Sequence, residues 1–174
     1  TDAHGGVDAL NANTAIIHGV GLNASDVQLI AADGMKLIWS PRSNIALYGD
    51  TAPVTLYHRL GAPIALGTDW VLSGSMNTNR ELACAEFLNA NYYGGFFSYQ
   101  DLWAMVTVNG AKAMNMDAHI GNLGEGKLAD IAIFYRNGLG AYEAVVKGNP
   151  EDVALVLRGG DVLSGDASLV NALG

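Results

Sequence analysis

The chain has 174 residues, half of them hydrophobic and 15% charged, which is ample apolar surface for a core and not a disordered composition. Seventeen acids against nine bases leave a net charge of −8, which argues against nucleic acid or an anionic membrane as the main partner. A single cysteine, Cys84, excludes an intrachain disulfide framework; within "RELACAEFL" it reads as a small buried residue. No apolar run approaches the ~20 residues of a membrane span. The opening "TDAHGGVDALNA" lacks the charged and apolar regions of a signal peptide, so a reducing, cytoplasmic setting is the default.

The first 70 residues alternate between two periodicities. "TAIIHG" (14–19) is a short β-branched run that ends at His18. Residues 25–34 read as a helix, with Ser25 as N-cap, Val27, Ile30 and Ala31 on one face and Gly34 as the stop. "MKLIWSP" (35–41) is a second strand closed by Pro41. A second helix covers 51–61, with Pro53 in its first turn and Gly61 at its end. "APIALGTD" (62–69) is the third strand, and it stops at a bare carboxylate, Asp69. Apolar strands separated by amphipathic helices imply parallel strands covered on both faces.

Two helices are expected next, over 77–90 and over 98–114, the latter opened by the Ser98–Asp101 capping pattern. Near Gly121 the character changes to a glycine-rich turn, a strand over 129–135, and short strands in "YEAVVKG" and "DVALVLRGGDVLSG". The expected division is therefore 1–121, an α/β part, and 122–174, a β-rich tail. A closed eightfold β/α barrel needs roughly 250 residues, and three strands cannot close one. The open doubly wound alternative lacks the G-x-G-x-x-G turn and any phosphate loop. The chain reads as a piece of a barrel, completed by the same polypeptide or by a second chain.

In barrel enzymes the active site lies at the carboxyl ends of the strands. His18 and Asp69 both occupy that position, and an imidazole beside a carboxylate is a suitable pair of ligands for a divalent ion. A catalytic zinc takes about three protein ligands, so two are too few. The plainer explanation, that Asp69 caps the next segment and His18 is a hydrogen-bonded strand-end histidine, stays open on spacing alone. Trp39, Arg42, Ser43, Asn44 and Trp70 also follow strand ends and are candidate substrate-binding residues, with Arg42 suited to clamp a carboxylate. Trp103 is expected in the core, and His58 and His119 away from any strand end.

"IIHGVGL", "WSPRSN", "LGTDW" and "IGNLGEGKLADIAIF", in this order and spacing, resemble the C-terminal half of the amidohydrolase superfamily, in the branch of chlorohydrolase-like and deaminase-like enzymes and imidazolonepropionase. The similarity runs from about residue 13 to the end; "G-x-L-x-x-G-K-x-A-D" together with "L-G-T-D" is specific, and either alone is weak. The resemblance implies an α/β fold: the C-terminal part of a TIM-type (β/α)8 barrel, about three βα units, followed by strands of a small composite β-sandwich. It implies that Asp69 is the strand-eight aspartate, a metal ligand that also takes a proton from water, and that His18 is the strand-six histidine. The cofactor implied is a divalent metal, zinc first, with iron, nickel or manganese as alternatives. The activity implied is hydrolysis of a non-peptide C–N bond in a small molecule such as a cyclic amide or amidine.

Two departures stand out. The strand-one H-x-H pair is absent, and His4 is the only candidate for the strand-five ligand; it lies 14 residues before His18, too few for a covering helix and a return strand, so either residues are missing between them or His4 is a tail histidine. Trp39 stands where many relatives carry a histidine before the proline, which alters the pocket wall. Implied partners are the N-terminal half of the barrel and a small-molecule substrate, with self-association open and neither nucleic acid nor membrane involved. The competing expectation is a metal-free, non-catalytic barrel-derived module for assembly or ligand binding.

Overall fold

A computed structural model describes residues 10–173. Strand β1 (Ala15–Ile17) leads through helix α1 (Ala24–Ala32) to β2 (Lys36–Trp39). Helices α2 (Pro41–Tyr48) and α3 (Val54–Arg59) then precede β3 (Ile64–Leu66). The three strands form one parallel sheet in the order β1-β2-β3, with Ile17 opposite Ile38 and Trp39 opposite Leu66. Helices α4 (Thr78–Asn91), α5 (Tyr99–Met105) and α6 (Val108–Ala113) follow. The second sheet is antiparallel and comprises β4 (Ile131–Phe134), β5 (Val153–Arg158) and β6 (Asp161–Gly165). Helix α7 (Ala141–Val146) lies between β4 and β5, and α8 (Ala167–Leu173) follows β6.

Several expectations are corrected. The N-cap of α1 is Asn23 rather than Ser25: its side chain accepts from the Ser25 and Asp26 N–H groups, and Asp26 completes the capping box. The segment after Trp39 is a helix, α2, started by Pro41 at its first position and ended by Gly49 at φ 68°. The expected helix over 98–114 is two helices. The β-branched stretch Val106–Thr107–Val108 breaks it, the Thr107 hydroxyl donating to the Trp103 carbonyl at 2.9 Å. Gly121 packs into that break so closely that a Cβ there would sit 2.6 Å from the Ala111 Cβ.

"YEAVVKG" is helical, not a strand. Packing against neighbouring helices outweighs the β preference of its valines, with Ala144 and Val146 buried and the Tyr142 ring tilted against Trp103, centroids 5.1 Å apart.

The core lies between the parallel sheet and its helices, with Val27, Leu37, Trp39, Val54, Leu82 and Leu102 at its centre. Trp39 is fully buried, and its indole N–H donates to the Thr51 hydroxyl at 2.7 Å. Trp39→Ala is expected to cost ~3–5 kcal/mol through the cavity it leaves, and it removes the closer of the two side-chain donors to the Thr51 hydroxyl. Urea unfolding of the variant and parent checks this; a loss below about 1 kcal/mol would mean that the site collapses freely.

Candidate functional site

Parallel pairing brings the carboxyl ends of β1, β2 and β3 to one rim. The His18 N–H donates to the Ile38 carbonyl at 3.0 Å and the Gly67 N–H to the Trp39 carbonyl at 2.8 Å, so pairing continues to the point where the chain turns out. There His18 (φ 68°) and Asp69 (φ 55°) both adopt the left-handed conformation. For non-glycine residues this costs on the order of 1–3 kcal/mol, and such strain gathers at functional sites. The turn places the two side chains together, with Nε2 of His18 3.5 Å from Oδ2 of Asp69.

Helix α2 holds both groups. The Ser43 hydroxyl donates to Oδ2 of Asp69 and lies 3.1 Å from the Ser73 hydroxyl. Oδ1 of Asn44 is 2.9 Å from Nδ1 of His18. A carbonyl oxygen can only accept, so Nδ1 is the donor in this contact and Nε2 is the ring nitrogen directed at Asp69. A metal-binding histidine is oriented in the same way, by a side chain behind its other nitrogen. Ser43 and Asn44, consecutive on one helix and fully buried, therefore serve the two rim residues from behind.

The Asp69 carboxyl lies below the usual carboxylate range, held there first by the Ser43 hydroxyl, then by the Trp70 N–H and the neighbouring imidazole, against the opposing pull of burial. A depressed folded value stabilises the native state above the unfolded value, and that contribution disappears as pH falls through the depressed value. Ser43→Ala moves the folded value back toward the ordinary range. The variant should be less stable than the parent at neutral pH, the difference shrinking as pH falls below the ordinary carboxylate range. Urea midpoints across that range test this; a constant gap would assign the loss to packing alone.

The other candidates are distributed unevenly. Trp39 belongs to the core behind the rim and presents no surface to a substrate. Arg42 directs its Nε to the Ser75 hydroxyl at 2.9 Å, toward helix α4. Trp70 is 64% exposed at the mouth. His4 lies outside the described residues. His58 and His119 are exposed away from the rim, His58 packing edge-on against Phe96 and Phe97.

Residues not anticipated are Ser73, Ser75 and Glu81. Glu81, in the first turn of α4, is fully buried, and its Oε1 accepts from the Arg42 backbone N–H at 3.0 Å. A signal existed: Glu81, Ala85 and Asn89 recur every four residues beside Leu82, on the buried stripe of the helix.

Among the described residues no group of three or more His, Cys, Asp or Glu side chains is placed to hold a metal ion. His18 and Asp69 supply two donors whose separation suits a shared tetrahedral ion with bonds of ~2.0–2.2 Å. No helix among the described residues is long and apolar enough to cross a membrane.

The sequence profile of the amidohydrolase family matches residues 1–163. A 5-methylthioadenosine/S-adenosylhomocysteine deaminase of Thermococcus kodakarensis is 34% identical over 131 residues, 74% of this chain and 30% of that protein. The corresponding protein of Thermococcus onnurineus is 32% identical over 168 residues, covering 88% and 38%. Among solved structures, an adenosine deaminase from Xanthomonas campestris with bound zinc superposes with a TM-score of 0.81 at 21% identity, over 93% of this chain and 41% of that one. The guanine deaminase of E. coli superposes with a TM-score of 0.76 at 19% identity, over 90% and 40%. The chain thus spans about a third of the length of these curated relatives and about two fifths of these structures.

Proposed function

The chain belongs to the amidohydrolase family, and on that premise we propose that it forms the C-terminal half of a metal-dependent hydrolase that removes an amino group from an aminated heterocycle, a cyclic amidine in chemical terms. The observation that carries this is the His18–Asp69 pair, joined at one rim by two strained strand ends and held from behind by Ser43 and Asn44. The named activities of the relatives agree in kind, each a deaminase. In this proposal the parallel sheet with its helices, 1–121, is the end of a TIM-type barrel, and 122–174 supplies strands of a composite sandwich.

The free flanks of β1 and β3 support the same view. Among the described residues each pairs only with β2, and an open parallel edge needs covering. Beside β1 a groove of about 480 Å³ is lined by Ile16, Ile17, His18, Leu22 and Tyr48. The rest of the barrel, from the same gene product or a partner chain, would cover that flank and bring the missing donors.

His18 and Asp69 would hold the divalent ion, zinc in first place, through Nε2 and a carboxylate oxygen. When bound, such an ion brings the pKa of a water down toward ~7. Asp69 is a carboxylate at neutral pH and takes the proton as the water oxygen adds to the ring carbon. It returns that proton to the departing nitrogen; the C–O bond forms, the C–N bond breaks, and ammonia leaves. Asn44 keeps the His18 ring in one orientation throughout, and Ser43 fixes the carboxylate that moves the proton.

The direct test is ammonia release by the complete enzyme from a panel of aminopurine nucleosides, cyclic amides and chlorinated triazines. Turnover of an aminopurine above the others is expected. Release of chloride or ring opening without ammonia would replace the deaminase reading with another hydrolase; no turnover of any compound would favour the metal-free module.

A further inference from the structure

The start of helix α2 is not capped by its own sequence. The Ser40 side chain makes no capping bond, and Pro41 has no N–H to offer. The first backbone donor of the helix is the Arg42 N–H, and it is taken by Oε1 of Glu81, thirty-nine positions away in α4. The very next residues, Ser43 and Asn44, hold Asp69 and His18.

The other side of the site is reached through Arg42, the residue whose N–H Glu81 accepts. The Arg42 side chain donates from Nε to the buried Ser75 hydroxyl, and the Ser75 N–H donates to the Thr68 carbonyl at 2.9 Å, immediately before Asp69. Gly74 allows this fold-back, since a Cβ there would fall 1.9 Å from the Thr68 oxygen. Both segments that converge on the rim thereby meet at Arg42, through its N–H on Glu81 and its side chain on Ser75.

That carboxylate is expensive to keep. Glu81 is fully buried, and no donor meets its Oε2 in hydrogen-bond geometry. Burial pushes its carboxyl up, partly opposed by the Ser75 hydroxyl and by Arg42. A buried carboxylate with an unpartnered oxygen destabilises a fold unless its placement serves another purpose.

We propose that Glu81 is a positioning residue for the site: it fixes the start of α2, and through it sets the Ser43 hydroxyl on Asp69 and the Asn44 carbonyl oxygen on His18. The proposal rests on the hydrolase reading for its catalytic consequence, but the mechanical link from Glu81 to α2 does not depend on it.

The experiment uses the complete enzyme with Glu81→Ala, Glu81→Asp and Glu81→Gln. Amide hydrogen exchange is read over residues 40–48, with 153–165 in the antiparallel sheet as the internal reference. In Glu81→Ala and Glu81→Asp, exchange over 40–48 should accelerate about tenfold or more while the reference segment is unchanged. Glu81→Gln keeps a carbonyl acceptor and should restore most of the protection.

In turnover, Glu81→Ala should lower kcat by about 10–100-fold with KM nearly constant, as supporting residues around metal ligands do. Combined with Ser43→Ala, its loss should be markedly less than multiplicative, because both act on the same contact. Unchanged exchange over 40–48 in the Ala and Asp variants would overturn the proposal, and so would fully multiplicative losses with Ser43→Ala. If Glu81→Ala does not fold, Glu81→Asp decides. A parent enzyme without turnover would sink the hydrolase reading and leave the exchange result to judge Glu81.

Discussion

Asp69→Asn is expected to lower turnover of the complete enzyme at least about 1,000-fold while leaving the protein folded, because an amide cannot collect the proton from water or return it to the leaving nitrogen. The substitution is nearly isosteric, and the amide oxygen can still accept from Ser43, so the rim geometry is retained. Asp69 is partly exposed and carries no core contact whose loss would unfold the chain. Steady-state kinetics beside circular dichroism and a thermal melt separate the two effects. Retention of more than a few percent of parental turnover would remove Asp69 from the chemistry. A variant that melts before it can be assayed would mean that the left-handed turn at position 69 depends on the carboxylate itself.

Metal removal is expected to have an effect of similar size. The complete enzyme should carry at least one divalent ion per copy, and chelation should reduce turnover by about 1,000-fold or more, with zinc restoring it. The described part of this chain offers two donors, so by itself it should bind zinc far more weakly than the complete assembly, which needs about three protein ligands. Native mass spectrometry reads both quantities at once. This chain found with a further polypeptide segment and one or two ions would support the split-site arrangement. A metal-free assembly with full turnover, or no metal in any assembly state, would support the metal-free module.

Much of the parallel sheet was legible because it is written in short-range patterns. The apolar runs expected as strands at 14–19, 35–41 and 62–69 matched β1, β2 and β3, with ends differing by a few residues. Helix α2 was not legible, because the Pro that closes a strand also opens a helix, and nothing local distinguishes the two roles. "YEAVVKG" failed for a related reason: its valines favour a strand, and only the burial of Ala144 and Val146 against neighbouring helices makes it helical.

The same division holds at the site. The sequence by itself determined that a histidine and an aspartate end two parallel strands, and parallel strands place their ends on one rim whatever surrounds them. It also determined the family through motifs carried in order along the chain. Tertiary structure decided the rest. Residues 26 apart, Asn44 with His18 and Ser43 with Asp69, meet because α2 folds over the rim. Arg42 turns toward Ser75, and Glu81 reaches the start of α2 from a helix beyond the third strand. Hydrogen bonds of this kind depend on how whole elements pack together, and no local propensity or spacing encodes which distant donor a buried carboxylate will meet.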